Sequence, residues 1–263
     1  MAMIITFIAA TLLLSFIMAG GWAVQRATGN SGWVDVVWSF GLGIAGLVLA
    51  LVPGPITGRQ ILVAVMIAAW SLRLGLHIAQ RSMSGPEDAR YAALRQEWGA
   101  NFQVRLFLFL QIQAAAAALL GLSIMLAAHN PAPFPRVLDF CGIAILIIAV
   151  AGEGIADEQL RRFKKNPVNK GRVCDAGLWA WSRHPNYFFE WFGWIAYALI
   201  AIGDWGWGWV ALSGPAFMYW LLVHVSGIPL LEQQMLKSRG DAFRAYQRRV
   251  SAFFPLPPKD ETP

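Results

Sequence analysis

Long apolar runs, each separated from the next by a short polar stretch, dominate this sequence. A helix that crosses a bilayer needs about 20 predominantly apolar residues, and seven runs come close to that length. They cover residues 3–24, 33–53, 57–80, 103–128, 136–156, 185–203 and 207–227. The pattern therefore predicts an all-α integral membrane protein with seven transmembrane helices.

The composition supports this prediction and excludes several kinds of site. The 263 residues are 57% hydrophobic and only 14% charged, far more apolar than a soluble domain of this length requires. The two cysteines, Cys141 within a run and Cys174 outside the runs, are not expected to form a disulfide. The histidines are scattered, which predicts no metal site, and no glycine-rich dinucleotide fingerprint is found.

Lysines and arginines concentrate in residues 161–183 and 237–249. Basic residues are enriched in cytoplasmic segments of membrane proteins, so we predict that both stretches are cytoplasmic. Seven spans then place the N-terminus outside and the C-terminus in the cytoplasm. The net charge of +6 suits anionic lipid or a phosphorylated cofactor, and nothing in its distribution suggests nucleic acid.

The stretch 182–190 turns from a basic loop into an apolar run. Pro185 suits the first turn of a helix because its φ is already helical and its missing N–H would be unpaired there. Arg183 and His184 precede that helix, whose N-terminal partial charge attracts anions, so we predict a phosphate site. The residues that recur on one face of the helix are Asn186, Glu190 and Gly193.

Ionisable residues inside apolar runs are costly unless they face protein or water, which makes them candidate functional residues. Asp35 begins the second run, although it could instead cap the first turn of the helix. Arg73, at the end of the third run, could pair with Asp35 or extend its cation to the surface. Tyr91, in the polar connector that follows, is the first tyrosine of the chain.

Glu153, Asp157 and Lys164 lie on one side of the helix that leaves the membrane after the fifth run. A salt-bridged exit helix is one explanation. A polar ligand is the other, because Glu153 lies deep in the run between two glycines. Polar residues collect at the inner ends of five of the predicted spans, so we expect a cofactor pocket that opens to the cytosol.

The second half of the chain resembles the steroid 5-alpha-reductase family, in its bacterial branch. The similarity covers roughly the last 110 residues closely, whereas the first four spans match in layout and at isolated residues. The motifs that carry it are Gly177-Leu178-Trp179, Ser182-Arg183-His184-Pro185-Asn186-Tyr187 with Glu190, Ser226-Gly227-Ile228-Pro229 with Glu232, Tyr246-Gln247-Arg248-Arg249 and a Phe-Pro ending.

This resemblance implies an NADPH-dependent reductase of the bacterial inner membrane that reduces the C=C bond of a lipophilic enone, similar to a 3-oxo-Δ4-steroid. It implies one membrane domain over residues 1–263, with substrate-side helices in 1–130 and the cofactor-binding part in 131–263. We expect membrane lipid and a lipophilic small molecule as partners, and a monomer.

The resemblance also assigns site residues. Asp157 and Glu153 would hold the adenosine and ribose end of NADPH. The phosphates would meet Lys164, Arg172 and Arg183, and the nicotinamide would meet Asn186 and Glu190. The remaining cofactor-site candidates are Arg73, His184, Tyr187, Glu232, Tyr246 and Arg249, and the catalytic candidates are Asp35, Tyr91 and Glu190.

The first half departs from the family pattern, in which a glutamate and a tyrosine polarise the substrate carbonyl. Trp70 stands at the position of that tyrosine, and Asp35 is the acid nearest the place of the glutamate. Asp35 is therefore our candidate proton donor.

Two other functions fit the motifs. Membrane methyltransferases of the isoprenylcysteine carboxyl type, which use S-adenosylmethionine, also carry Arg-His-Pro-x-Tyr and a later Gly-Ile-Pro. That family usually has a glycine where this chain has Phe189. A non-catalytic lipid-binding protein would need the fewest assumptions, but it leaves the intramembrane acids unexplained.

Overall fold

The computed structural model describes residues 1–84 and 89–259. Within them the chain forms ten α-helices and no β-strand, apart from one isolated parallel bridge between Ser182 and Ser251. This confirms the predicted all-α class. The helices are α1 Ala2–Thr28, α2 Gly32–Leu51, α3 Gly58–Ser84, α4 Ala89–Trp98, α5 Phe102–Ala128, α6 Val137–Lys165, α7 Pro185–Ala201, α8 Ser213–Trp220, α9 Ile228–Arg239 and α10 Asp241–Arg249.

Six helical segments among the described residues are long and apolar enough to cross a bilayer. They are Ala2–Thr28, Gly32–Leu51, Gly58–Met83, Arg90–Ala128, Val137–Lys165 and Gly206–Arg239. The predicted span 185–203 forms α7, which has 17 residues and a length of about 25 Å, against a hydrocarbon thickness of about 30 Å. The structure thus supports an integral membrane protein with six such segments, and the seventh span stays a prediction.

Side chains from another part of the chain terminate α7. The last carbonyl groups of a helix have no partner within it and need donors from elsewhere. Asn130 Nδ2 donates to the carbonyls of Ile200 and Ala201 at 2.7 and 3.0 Å. Arg136 donates to Ile200 O and Ile202 O at 2.7 and 2.9 Å, where its positive charge also complements the helix dipole.

The last apolar segment is broken just before Pro229. The chain widens into a π-helical turn at Leu221–Val225, and α9 then begins at Ile228 with Pro229 in its first turn. Gly227 stands at the break, where a Cβ atom would collide with the carbonyl oxygen of Leu222. The restart of the helix places Glu232 in the second turn of α9.

The chain folds as two compact units. Unit 1 comprises Met1–Phe140 and Tyr197–Gly214, and unit 2 comprises Cys141–Ala196 and the chain from Pro215 onward. In unit 1, α2 packs against α1, α3 and α5, and α5 also packs against α1 and α3. Small residues permit this close packing in an apolar solvent, as at Gly41 against Ile17.

In unit 2, the N-terminal part of α7 lies antiparallel to α6. Three contacts fix the register: Gly193 faces Ala149, Gly152 faces the ring of Phe189, and Asn186 bonds Asp157. The face predicted for Asn186, Glu190 and Gly193 is therefore the one that packs against α6. The short helices α9 and α10 complete the unit and contact each other.

A buried ion pair in unit 1 was not predicted from the sequence. Arg59 binds both carboxylate oxygens of Asp139, with Nε–Oδ1 at 3.1 Å and Nη2–Oδ2 at 2.9 Å. The side chains are only 3% and 1% exposed. The remaining donors of Arg59 bond the carbonyls of Asn130, Ala132 and Pro133 at 2.7–2.8 Å. The pair therefore fixes the turn between α5 and α6.

Candidate functional site

The loop that leads into α7 is fastened to α6. Trp179 Nε1 donates to Ala156 O at 2.9 Å, and Gln159 Oε1 accepts from Leu178 N at 3.0 Å. Gly177 has a φ of +61°, in the left-handed region that favours glycine, and a Cβ there would lie 2.7 Å from the Gln159 amide. The Gly-Leu-Trp motif thus sets the path by which the chain enters α7.

The C-terminal segment holds the same loop from another direction. The buried Ser182 hydroxyl donates to Phe253 O at 2.8 Å and accepts from His184 N at 3.1 Å. Arg183 N donates to Ser251 O, and Leu256 N donates to Trp181 O. These bonds tie residues 181–184 to residues 251–256.

Aromatic side chains reinforce this attachment. Phe253 and Phe254 contact Phe188 and Trp191 of α7 and Tyr219 of α8, with ring centroids 5.3–6.2 Å apart. Such pairs stabilise a fold beyond simple apolar burial. Sequence reasoning identified the Phe-Pro ending as part of a motif but not its function of holding α7.

Glu232 is the centre of the polar cluster at the start of α7. Its carboxylate accepts from Arg183 Nε at 2.7 Å, from Arg183 Nη2 at 3.2 Å and from Gln247 Nε2 at 2.7 Å. His184 Nε2 lies 3.1 Å from Glu232 Oε1. Three predicted cofactor residues are therefore brought together, along with Gln247, which sequence reasoning missed.

This cluster changes how Arg183 should be interpreted. Its third nitrogen, Nη1, donates to the carbonyls of Val250 and Gln247 at 2.6 and 3.2 Å, so all three guanidinium nitrogens bond protein groups. The predicted phosphate contact would require these bonds to break. In this structure Arg183 positions the tail and α9 relative to the loop.

Burial lowers the pKa of His184, assisted by the neighbouring Arg183 guanidinium and opposed by the hydrogen bond with Glu232. The folded chain then binds this proton less readily than the unfolded chain, whose histidine keeps a pKa near 6.5. Stability that depends on neutral His184 is complete above about pH 6.5 and is lost as the pH falls toward the folded-state pKa.

We expect the melting temperature in detergent to fall when the pH is lowered from 7.5 to 5.5, and to fall less in His184→Gln. The glutamine retains a donor for Glu232 but does not titrate. His224→Gln, at an exposed histidine, is the control and should leave the wild-type pH dependence unchanged. Equal pH dependence of wild type and His184→Gln would contradict the assignment.

Two buried acids lie one turn deeper in the α6–α7 pair. Asn186 Nδ2, at the start of α7, donates to the half-buried Asp157 of α6 at 3.2 Å. Glu153 and Glu190 are only 6% and 8% exposed, and the register places them at the same level of the two helices. Trp194 Nε1 donates to Glu190 Oε1 at 3.0 Å. The acids predicted for the cofactor site therefore share one helix interface.

The other predicted cofactor residues of unit 2 occupy different environments. Lys164 and Arg172 are exposed, and Arg249 pairs with Asp175 at 3.0 Å. The Tyr187 ring stacks on His184, with centroids 5.6 Å apart. Tyr246 is buried, donates to Trp179 O and has a pKa raised by burial, so it serves the loop structurally.

The predicted residues of the first half lie in unit 1, where Asp35 and Tyr91 meet. Tyr91 OH donates to Asp35 Oδ1 at 2.8 Å, and Arg90 Nη2 donates to Asp35 Oδ2 at 2.6 Å. Tyr91 is 3% exposed. Arg90 thus pairs with Asp35, a partner that the sequence analysis did not identify.

The polar groups of unit 1 and those of unit 2 suit different kinds of chemistry. In unit 1, a buried phenol donates its single O–H to a carboxylate, and the same O–H could serve a ligand oxygen if it turned away from Asp35. In unit 2, carboxylate and amide groups line a helix pair beside exposed cations, which suits a polar ligand with hydroxyl and anionic groups. The described residues contain no group of His, Cys, Asp or Glu side chains that could hold a metal ion.

Comparisons with known proteins place the chain in a family. The family model described as a protein of unknown function, DUF1295, matches residues 21–250. An uncharacterised protein of Schizosaccharomyces pombe, C594.04c, is 26% identical over an alignment of 282 residues, which covers 93% of this chain and 78% of the yeast protein. No solved structure matches the chain. Because the family model spans most of the sequence, the chain belongs to the DUF1295 family.

Proposed function

We propose that this protein is an NADPH-dependent membrane reductase that reduces the C=C bond of a lipophilic enone. The observation that carries the proposal is the Tyr91–Asp35 hydrogen bond of 2.8 Å, formed by residues from α4 and α2. Buried polar groups in a membrane protein are expensive and usually functional.

We also propose seven spans, with α7 as the short one, an external N-terminus and a location in a bacterial inner membrane.

The proton donor in this proposal is Tyr91, in place of Asp35. Both oxygens of Asp35 accept hydrogen bonds, one from the Tyr91 phenol and one from the Arg90 guanidinium. When the substrate binds, the single O–H of Tyr91 would turn from Asp35 Oδ1 to the substrate carbonyl, while Arg90 continues to hold the Asp35 carboxylate. A donor directed at the developing negative charge on that oxygen lowers the barrier to reduction.

The side chains of unit 2 fit parts of NADPH, which supplies a hydride when bound. Asp157 is half-buried and Asn186 fixes its orientation, so the carboxylate could accept hydrogen bonds from ribose hydroxyls. Exposed Lys164 and Arg172 supply positive charge for phosphates. The cluster of Arg183, His184 and Glu232 would stabilise the loop before α7 and would not contact the cofactor.

Titration of the purified chain with NADPH tests the proposal. We expect saturable binding, and Asp157→Ala should weaken it at least tenfold because the ribose loses its acceptor. Asp241→Ala, which removes an exposed carboxylate at the start of α10, should leave the affinity unchanged. Equal affinities of wild type and Asp157→Ala would contradict the assigned site, and no binding by folded wild type would reject the cofactor.

A second function has one specific observation in its favour. Glu232 binds the motif arginine, Arg183, so this cation is already engaged. The polar groups that remain in the α6–α7 pair are mainly acids, namely Glu153, Asp157 and Glu190. S-adenosylmethionine carries a sulfonium cation and no phosphate, which suits such a set of acids. Saturable binding of S-adenosylmethionine without NADPH binding would favour the methyltransferase. Binding of neither, by folded protein, would favour a non-catalytic lipid-binding role.

A further inference from the structure

The turn that follows α7 carries three tryptophans that alternate with glycines, namely Trp205, Trp207 and Trp209. It folds as a 3₁₀ turn over Gly206–Leu212. The same turn begins Gly206–Arg239, the last of the six described segments that are long and apolar enough to cross a bilayer. Trp207 and Trp209 are 69% and 58% exposed. Two large aromatic rings therefore lie uncovered at the start of a candidate span.

The backbone of this turn is fastened to the neighbouring helices. Trp205 Nε1 donates to Ala201 O, at the end of α7, at 2.8 Å. The Ser123 hydroxyl of α5 donates to Ala211 O at 2.8 Å. Gly208 is buried and lies so close to α7 that a Cβ atom would collide with Ala201 O, so glycine is needed for this approach. The helices α5 and α7 thus fix the position from which the two exposed rings project.

Protein donors satisfy the end of α7. Ala201 O accepts from Asn130 Nδ2 at 3.0 Å and from Trp205 Nε1. Ile200 O accepts from Asn130 Nδ2 and from Arg136 Nη2, each at 2.7 Å. A main-chain carbonyl without a partner is costly in hydrocarbon, where no water can replace the missing donor. Because these carbonyls need no water, α7 can end below the aqueous surface without a loss of hydrogen bonds.

The position of one charged residue identifies what covers the two rings. Asp204 is the only Asp, Glu, Lys or Arg between Glu190 and Glu232, and it is exposed. It therefore marks the point at which the chain reaches water between two long apolar runs. Tryptophan prefers the boundary between water and hydrocarbon, because its ring is apolar while its N–H donates a hydrogen bond. Trp207 and Trp209 follow Asp204 closely enough to lie at this boundary.

We propose that Trp207 and Trp209 anchor this turn in the headgroup and glycerol layer of the lipid bilayer, at the surface where α7 ends. The indole N–H groups donate to phosphate or ester carbonyl oxygens of the lipid, and the rings cover the first carbons of the acyl chains. The anchor sets the depth at which α7 ends in the membrane. It is independent of the proposed reductase, because neither tryptophan belongs to the assigned substrate or cofactor site.

Fluorine NMR of the full chain, labelled with 5-fluorotryptophan and placed in phosphatidylcholine nanodiscs, tests the depth of each ring. The chain has 13 tryptophans, so Trp207→Phe and Trp209→Phe are used to assign the two signals. Three paramagnetic probes are compared: a nitroxide on the lipid headgroup, a nitroxide at the end of an acyl chain and a water-soluble gadolinium chelate. The two nitroxides differ in depth by about 15 Å, half the hydrocarbon thickness, so the headgroup nitroxide should enhance the relaxation of both signals at least about threefold more.

Trp194, which is 1% exposed, provides the reference for a ring covered by protein and is assigned in the same way. A response to the chain-end nitroxide as large as that to the headgroup nitroxide would place the rings in the hydrocarbon core. A response to the gadolinium chelate alone would place them in water. Enhancements no larger than those of Trp194 with all three probes would show that protein covers the rings. Each of these three results would overturn the proposal.

Discussion

Asp139→Asn should destabilise the folded chain by about 3–5 kcal/mol, the typical cost of removing one partner from a buried ion pair. Arg59 would keep its charge at 3% exposure, and the new amide would direct N–H groups at a guanidinium that can only donate. The variant also loses an acceptor for Arg136 N, which bonds Asp139 Oδ2 at 2.7 Å. Thermal unfolding in detergent should show a melting temperature lower by roughly 6–20 °C.

The same substitution at an exposed ion pair provides the control. Asp241 pairs with Arg244 at 2.7 Å, but its side chain is 96% exposed, so Asp241→Asn should leave the melting temperature unchanged. The double variant Arg59→Met with Asp139→Leu should remain destabilised, because three main-chain carbonyls lose their donor. Similar melting temperatures for Asp139→Asn and Asp241→Asn would show that the buried pair does not hold the turn.

Tyr91→Phe should lower kcat by about 10²–10³, the usual cost of losing one donor to a developing oxyanion. The ring stays in place, so NADPH affinity and the melting temperature should change little. Reduction of an enone by the purified chain, followed by NADPH absorbance, gives the measurement. Tyr219→Phe removes a phenol oxygen from the aromatic cluster of unit 2 and should keep full turnover.

Asp35→Asn separates the two possible donors. If Tyr91 donates the proton, the asparagine still accepts from the phenol through one oxygen, and turnover should fall less than in Tyr91→Phe. If Asp35 were the donor, as the sequence first suggested, Asp35→Asn would be the more severe variant. Full turnover in Tyr91→Phe would reject the phenol as the polarising group.

Local chemistry predicted the elements of the fold, and long-range pairing decided the roles of the polar residues. The start of α7 at Pro185 follows from the preferences of proline alone, as does the restart of the helix at Pro229. The cost of an acid in an apolar run predicted that Asp35 needs a partner. The sequence pattern could not show that the partners of Asp35 are Arg90 and Tyr91, which lie 55 and 56 residues away.

The same limit explains what sequence reasoning missed. Arg183 precedes a helix N-terminus, where a phosphate contact is the natural expectation, yet the carboxylate that binds it lies 49 residues later on α9. Arg59 and Asp139 stand near the ends of separate runs, where each resembles an ordinary boundary charge, and 80 residues separate them. Only the packed chain reveals that they form one buried pair.

The attachment of the loop before α7 to the C-terminal segment has a consequence for biosynthesis. Ser182 and its acceptor Phe253 are 71 residues apart, so at about 5–20 residues per second the ribosome needs roughly 4–14 s to supply the second after the first. During that interval the newly made loop before α7 lacks the aromatic contacts and hydrogen bonds that the C-terminal segment provides in the folded chain. Insertion machinery or a chaperone that shields this surface would therefore act before synthesis reaches the tail.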